Sequence, residues 1–340
     1  ARVPVRRRAA IGCRVLSVVA VVLASYLVVR VVWPLRWSRA ARTGLAVLVF
    51  GLALHHRIVS RFAGSMASPE IPKAAIAVLG TGFIALLLTT VFVLLLDALC
   101  VIAWALRRRG VLAAVRRPGV RPVAAGLALV LSGYGTWQAM AVPQVRQVEI
   151  AIEGLPEAFD GYRLLQITDL HASRLLTGDW VAEVVAAGNA QRPDLIVLTG
   201  DMVDGSPRAR ADDVRPLAAL QAPDGVVAVT GNHEYYAQYL EWMPALRALG
   251  MQVLENGHLA IRRDESVLTL AGVTDPVAAR YGLPMPDLAA ALAGADPAAP
   301  VILLEHRPRD ARVRSQAGVA LQLSGHTHGG QIWPFNFLVR

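Results

Sequence analysis

The stretch "DLIVLTGDMVD", residues 194–204, decides how the second half of this chain is read. Its apolar run, 195–199, is too short for a helix and shows no polar alternation, so it reads as a strand buried on both faces. The run stops on Gly200 and Asp201, with Asp204 close behind. A glycine turn at the end of a buried strand places those carboxylates where open α/β sheets bind their ligands, beyond the carboxyl ends of the strands.

Working outward, the same pattern recurs. "YRLLQIT" (162–168) leads into Asp169 and His171, and "GVVAVT" (225–230) into Gly231, Asn232, His233 and Glu234. "VILLE" (301–305) leads into His306, and "VALQLS" (319–324) into Gly325, His326, Thr327 and His328. "SVLTLAGV" (266–273) is a further strand, and amphipathic runs at 179–191, 213–222 and 239–250 supply the helices. Strands alternating with helices predict an α/β domain.

Five of the eight histidines follow a strand in this way. In extended backbone, residues i and i+2 point to one side, so Asp169 with His171, and His326 with His328, each offer two donors together. Singly, each residue has a plainer role: Asp169 as a helix cap, Asp204 as a turn residue, any one histidine as a hydrogen-bonding side chain. Five such motifs at one sheet edge point to a metal centre instead. Carboxylate, amide and imidazole donors without thiolate suit manganese, iron or zinc. The donors outnumber the needs of one ion, so two ions sharing Asp201 are expected. Such a pair, about 4 Å apart, suits in-line displacement at phosphate.

The first half has another texture. Residues 1–147 hold nineteen Lys and Arg against Glu70 and Asp97, a balance of +17, while residues 148–340 carry −8. The basic pI of about 10.3 therefore belongs to the first half, and a nucleic-acid partner is not implied. Apolar runs at 15–29, 74–96 and 122–142 read as three membrane spans, and a shorter run at 44–54 as a borderline fourth. The arginines fall between them, as loop charges do. No small-residue cleavage site follows the first run, so it reads as an uncleaved anchor. Asp97, His55 and His56 are expected at the membrane interface, and His258, in "ENGH", in a hairpin turn. Cys13 and Cys100 lie in or beside apolar spans and suggest neither a disulfide nor a thiolate site.

The order "DLH … GDMVD … GNHE … H … GHTH" resembles the calcineurin-like metallophosphoesterase superfamily. "GYRLLQITDLHAS" and "SGHTHGGQIWPF" look most like its bacterial membrane-associated YkuE/YaeI-type branch. The resemblance implies a four-layer α/β/β/α sandwich with metals at the sheet edge. It implies one ion on Asp169, His171, Asp201 and His328, and a second on Asp201, Asn232, His306 and His326. It makes His233 a catalytic histidine that binds no metal, contacts phosphate and helps the leaving oxygen depart. Glu234 is then expected to orient His233, and Asp204 to support the Asp201 turn. Members of the superfamily continue beyond the last histidine motif, so the domain is expected to be truncated at its C-terminus.

These readings predict a helical transmembrane region, 1–146, followed by a phosphoesterase domain, 147–340. The expected function is a membrane-anchored, two-metal hydrolase of phosphate mono- or diesters, with lipid-linked or envelope substrates suggested by the anchor. The alternatives are a pyrophosphohydrolase resembling UDP-diacylglucosamine hydrolases, or a non-catalytic membrane metal sensor. A transporter is disfavoured because few polar residues interrupt the spans. The expected location is the bacterial inner membrane. The Arg107–Arg121 cluster, held in the cytoplasm, would put the domain outside it.

Overall fold

The computed structural model describes residues 5–65, 68–330 and 337, with side chains from residue 15 onward. The "QIWPF" phrase, Arg2, the side chains of Arg6–Arg8 and Cys13, and the chain end at Arg340 lie outside the described residues. The chain divides into two compact units, Ala1–Ala141 and Val142–Arg340.

The first unit is helical: α1 (Val5–Leu27) continued by a π-turn (Val28–Val32), α2 (Arg39–Ala53), α3 (His55–Phe62), α4 (Lys73–Ala105), α5 (Arg109–Val115) and α6 (Val120–Ala139). Val18, Val22, Leu95 and Val101 are exposed, whereas Ala20, Ala24, Ala53 and Val93 pack between helices. Helices apolar on their outward faces as well as their packed ones are the pattern of helices that meet lipid. Val15–Val32 and Lys73–Ala105 are long and apolar enough to cross a membrane, and α2 with α3, bent by 54°, makes a third candidate. The expected span at 122–142 forms α6, whose second half is more polar, with Ser132, Gly133, Tyr134, Gly135, Thr136 and Gln138.

Asp97 accepts from Tyr26 Oη at 2.8 Å, Arg30 Nε at 2.9 Å and Arg121 Nη2 at 2.7 Å, tying three helical segments together. His55 and His56 are buried, with Nδ1 bonded to the carbonyls of Leu52 and Ala53. His258 lies in a strand of the second unit, not in a turn.

The second unit holds two four-stranded sheets. The first is parallel, in the order β1 (Leu164–Ile167), β2 (Leu195–Thr199), β3 (Val226–Val229), β4 (Gln252–Val253). The second runs β5 (Gly257–Arg263), β6 (Ser266–Gly272), β7 (Val301–Leu304), β8 (Val319–Leu323), with only β5 and β6 antiparallel. The alternation of side chains sorts the layers. Leu195, Val197, Val227 and Val229 meet Ile261, Leu268, Leu270 and Leu304 between the sheets. The opposite face of the first sheet, Ile196, Leu198 and Ala228, packs on α7 (Gly178–Asn189) and α8 (Tyr239–Ala248), which follow β1 and β3 and contribute Val181, Val185, Trp242 and Leu246. Ala271 and Leu303 on the far face of the second sheet pack on the short helix at Leu288–Ala291. The result is helix, sheet, sheet, helix, the four layers expected.

Candidate metal centre

The backbone past β1 and β2 keeps pairing after the strands end. Asp169 N–H donates to the Gly200 carbonyl at 3.1 Å and His171 N–H to that of Asp201 at 3.0 Å. Both loops turn through left-handed residues to bring their side chains to one edge. Asp169, His171 and Asp201 have φ of 52°, 46° and 52°, and His326 and His328 have 71° and 47°. Five residues in a region costing about 1 kcal/mol or more each are held by their surroundings, as functional constellations commonly are. Two glycines clear the space: a Cβ on Gly231 would collide with the Asp201 carboxylate, and one on Gly325 with Thr168 and Asp169.

The second sheet is tied to the same edge. His326 N–H donates to the Asp169 carboxylate at 3.0 Å, and His306 Nδ1 to the Thr199 carbonyl at 2.8 Å. That last bond leaves His306 Nε2 facing Asp201 Oδ2, 3.1 Å away. Three donor groups result: Asp169, His171 and His328; Asp201, His306 and His326; and His171, Asp201 and His233. Asp201 belongs to two of them and is 2% exposed. Ring nitrogens face each other at 3.1 Å (His171 and His328, both Nε2) and 3.2 Å (His326 Nδ1 and His306 Nε2). Imidazole nitrogens turned inward beside carboxylates make a donor set that, once deprotonated, fits divalent cations.

Hydrogen bonds around this set reverse two expectations. Glu234, fully buried, accepts from the backbone N–H of Gly231 at 2.7 Å, Asp201 at 3.1 Å and Met202 at 2.7 Å. Glu234 therefore supports the Asp201 turn. Asp204 Oδ1 accepts from Nδ1 of His171 at 3.1 Å and of His233 at 2.5 Å, so it is Asp204 that orients His233. One carboxylate oxygen thus fixes two imidazoles with Nε2 turned toward the donors, which sets tautomer and aim together.

The electrostatics follow from this packing. Burial would lower the pKa of His171 and His233, but Asp204 and then Asp201 raise both above the ordinary imidazole range. Burial likewise opposes the charge on His306, yet Asp201 and the Thr199 carbonyl raise its pKa to about 9. Asp169 and Asp201 are both held below the ordinary carboxylate range: burial works against them, and His328 and Thr168 for the first, His306 for the second, outweigh it. Glu234 is raised, by burial first and by Asp201 second.

Sequence reasoning missed two side chains here. Arg307 donates to Asn232 Oδ1 at 3.2 Å and is held by Asp275 just past β6. Adjacency to His306 was the only sign of Arg307, and nothing in the spacing marks Asp275.

The calcineurin-like phosphoesterase family model matches residues 162–330. The chain is 31% identical over 334 residues to a transmembrane protein with metallophosphoesterase domain from Danio rerio, a match covering 86% of this chain and 76% of that one. A protein of the same description from Bos taurus is 34% identical over 271 residues, covering 72% and 60%. The uncharacterized metallophosphoesterase YkuE of Bacillus subtilis (strain 168) is 32% identical over 217 residues, covering 62% and 74%.

Proposed function

Since the chain belongs to the calcineurin-like phosphoesterase family, we propose that it is a membrane-anchored, two-metal hydrolase of phosphate mono- or diesters. The observation that carries this reading is the sharing of Asp201 between donor groups, with Oδ2 3.1 Å from His306 Nε2 and 3.8 Å from His171 Nε2. Asp169, His171, Asp201 and His328 would hold one ion, and Asp201, Asn232, His306 and His326 the other. Bound there, divalent ions supply Lewis acidity toward a phosphoryl oxygen and a lowered pKa for the attacking water.

The chain's own residues divide the remaining tasks. His233 Nε2 stands 3.9 Å from Asp201 Oδ2, at the edge of the donor set. With Nδ1–H committed to Asp204, a second proton at Nε2 can be passed to the leaving oxygen, and Asp204 stabilises the charged ring that carries it. Glu234 keeps the Asp201 carboxylate aimed by tying down three amides around it. His306 is fixed by the Thr199 carbonyl and needs no further orientation.

The anchor supports a substrate at or in a membrane, a lipid-linked or envelope ester, and an inner-membrane location; the Arg107–Arg121 cluster, held in the cytoplasm with α6 crossing after it, supports a domain outside the cytoplasm. The test of the chemistry pairs two variants assayed on aryl phosphate mono- and diesters with added Mn²⁺. Asp201→Ala should lose metal and activity together, whereas His233→Ala should keep metal and lose on the order of 10²-fold in rate. Full metal occupancy in Asp201→Ala would end the shared-carboxylate reading. Alkaline-phosphatase and green-fluorescent reporters fused after Arg146 test the sidedness. Fluorescence without phosphatase activity would place the domain in the cytoplasm.

A further inference from the structure

Past β6 and β7 the second sheet contributes a pair of charges that the proposed chemistry does not use. Asp275 has a side chain with no exposure, and Arg307, 17% exposed, follows His306 directly. Arg307 Nε donates to Asp275 Oδ2 at 2.6 Å and Nη2 to Asp275 Oδ1 at 3.1 Å. Asp275 Oδ1 also accepts from Val277 N–H at 2.7 Å, which locks the carboxylate in place. With that edge of the guanidinium taken, Nη2 has one N–H left, and it goes to Asn232 Oδ1 at 3.2 Å.

A terminal amide is close to symmetric in shape, so nothing steric decides which end of Asn232 faces which way. Its two ends differ in sign: oxygen accepts and binds cations, while the NH₂ group donates and repels them. A guanidinium has donors only, so it can be met by the amide oxygen and not by the NH₂. Oδ1 keeps a second lone pair for another partner. The arrangement has an electrostatic cost, because a guanidinium beside a cation site opposes the cation. Asp275 offsets that cost from within the protein interior, where an unpaired charge would be expensive.

We propose that Asp275 and Arg307 are a positioning pair that sets the Asn232 amide, oxygen toward the donors, for the ion held with Asp201, His306 and His326. The pair acts on one ion and not on the other, and it rests on the two-ion reading above.

The test uses the full chain in detergent and Mn²⁺ titration calorimetry, with thermal melts to establish that each variant is folded. The unsubstituted protein should take up two ions. Arg307→Met should keep one ion at unchanged affinity and bind the other about 10- to 100-fold more weakly, the range for residues that orient metal ligands. Arg307→Lys, which keeps a donor without the fork, should fall between. Asp275→Asn leaves the guanidinium uncompensated and should weaken the same ion at least as much. The double variant Asp275→Asn with Arg307→Met should then recover affinity relative to Asp275→Asn alone, since the opposing charge is gone. Two unchanged affinities in folded Arg307→Met and Arg307→Lys would overturn the proposal, as would equal weakening of both ions. Fewer than two ions in the unsubstituted protein would overturn the two-ion reading, and the positioning role with it.

Discussion

Replacing Asp204 by Asn separates orientation from ligation, because Asp204 stands in neither of the two proposed ligand sets. Its Oδ1 accepts from His171 at 3.1 Å and His233 at 2.5 Å. A hydrogen bond to a charged acceptor is worth roughly 1.5–3 kcal/mol and a neutral one roughly 0.5–1.5, so each bond loses about 1 kcal/mol, or about fivefold. If the amide presents its oxygen, Mn²⁺ affinity should fall about fivefold through His171, and the rate at saturating metal about fivefold through His233. If it presents NH₂ to either ring, that imidazole must switch tautomer and put Nε2–H toward the ions. The loss then grows to about 10- to 100-fold. Metal titration, initial rates at saturating Mn²⁺ and imidazole nitrogen NMR of the metal-free protein would measure all three effects. Affinity, rate and tautomer all unchanged in both Asp204→Asn and Asp204→Ala would refute the idea that this carboxylate aims two histidines.

Gly231→Ala should destabilise the second unit by about 1–3 kcal/mol through overpacking and weaken metal binding, since the new Cβ meets the Asp201 carboxylate and backbone; a denaturant midpoint and a metal titration would show both. In the metal-free protein His306 keeps a proton to about pH 9, against an ordinary 6.5, so metal uptake between those values should release it; calorimetry in two buffers of different ionisation enthalpy counts the proton. Because that pKa is raised on folding, the stability it brings is complete below pH about 6.5 and lost as pH rises through about 9; melting temperatures in chelator that rise across this interval would contradict the assignment. Asp97→Ala should lower the melting temperature in detergent by a few degrees, because Arg30 and Arg121 lose the carboxylate they share; an unchanged melt would mean the three contacts contribute nothing net.

The edge that carries the candidate centre was legible because its chemistry and its strands coincide in sequence: each apolar run ends where its ligand begins, as at Thr199 and Asp201. The four layers were legible only through family resemblance. β4, with two residues, is too short to leave a pattern, and β5 contains Arg262 and Arg263 where a buried run would not. His258 was misplaced for a related reason. Asn256 has φ of 58°, as a turn residue should, but the turn joins the two sheets and not two strands of a hairpin. The roles of Asp204 and Glu234 depend on which way a carboxylate points, and spacing carries no information about that. The partners of Asp97 were hidden because Arg30 and Arg121 lie 67 and 24 residues away.

The two facing imidazoles of His171 and His328 are separated by 157 residues of chain. At roughly 5–20 residues per second, a ribosome takes on the order of 8–30 s to travel from one to the other. For most of that interval, from Asp201 to His306, the donors Asp169, His171 and Asp201 are made but lack His306, His326 and His328. An ion arriving early finds three of the four donors proposed for the first position, lacking His328, and two of the four proposed for the second, lacking His306 and His326, and binds correspondingly weakly. Tight capture has to follow synthesis of β8, which makes metal uptake a late clock for this protein: labelled chains chased for less than that interval should bind a metal-affinity reporter poorly, however much ion is supplied.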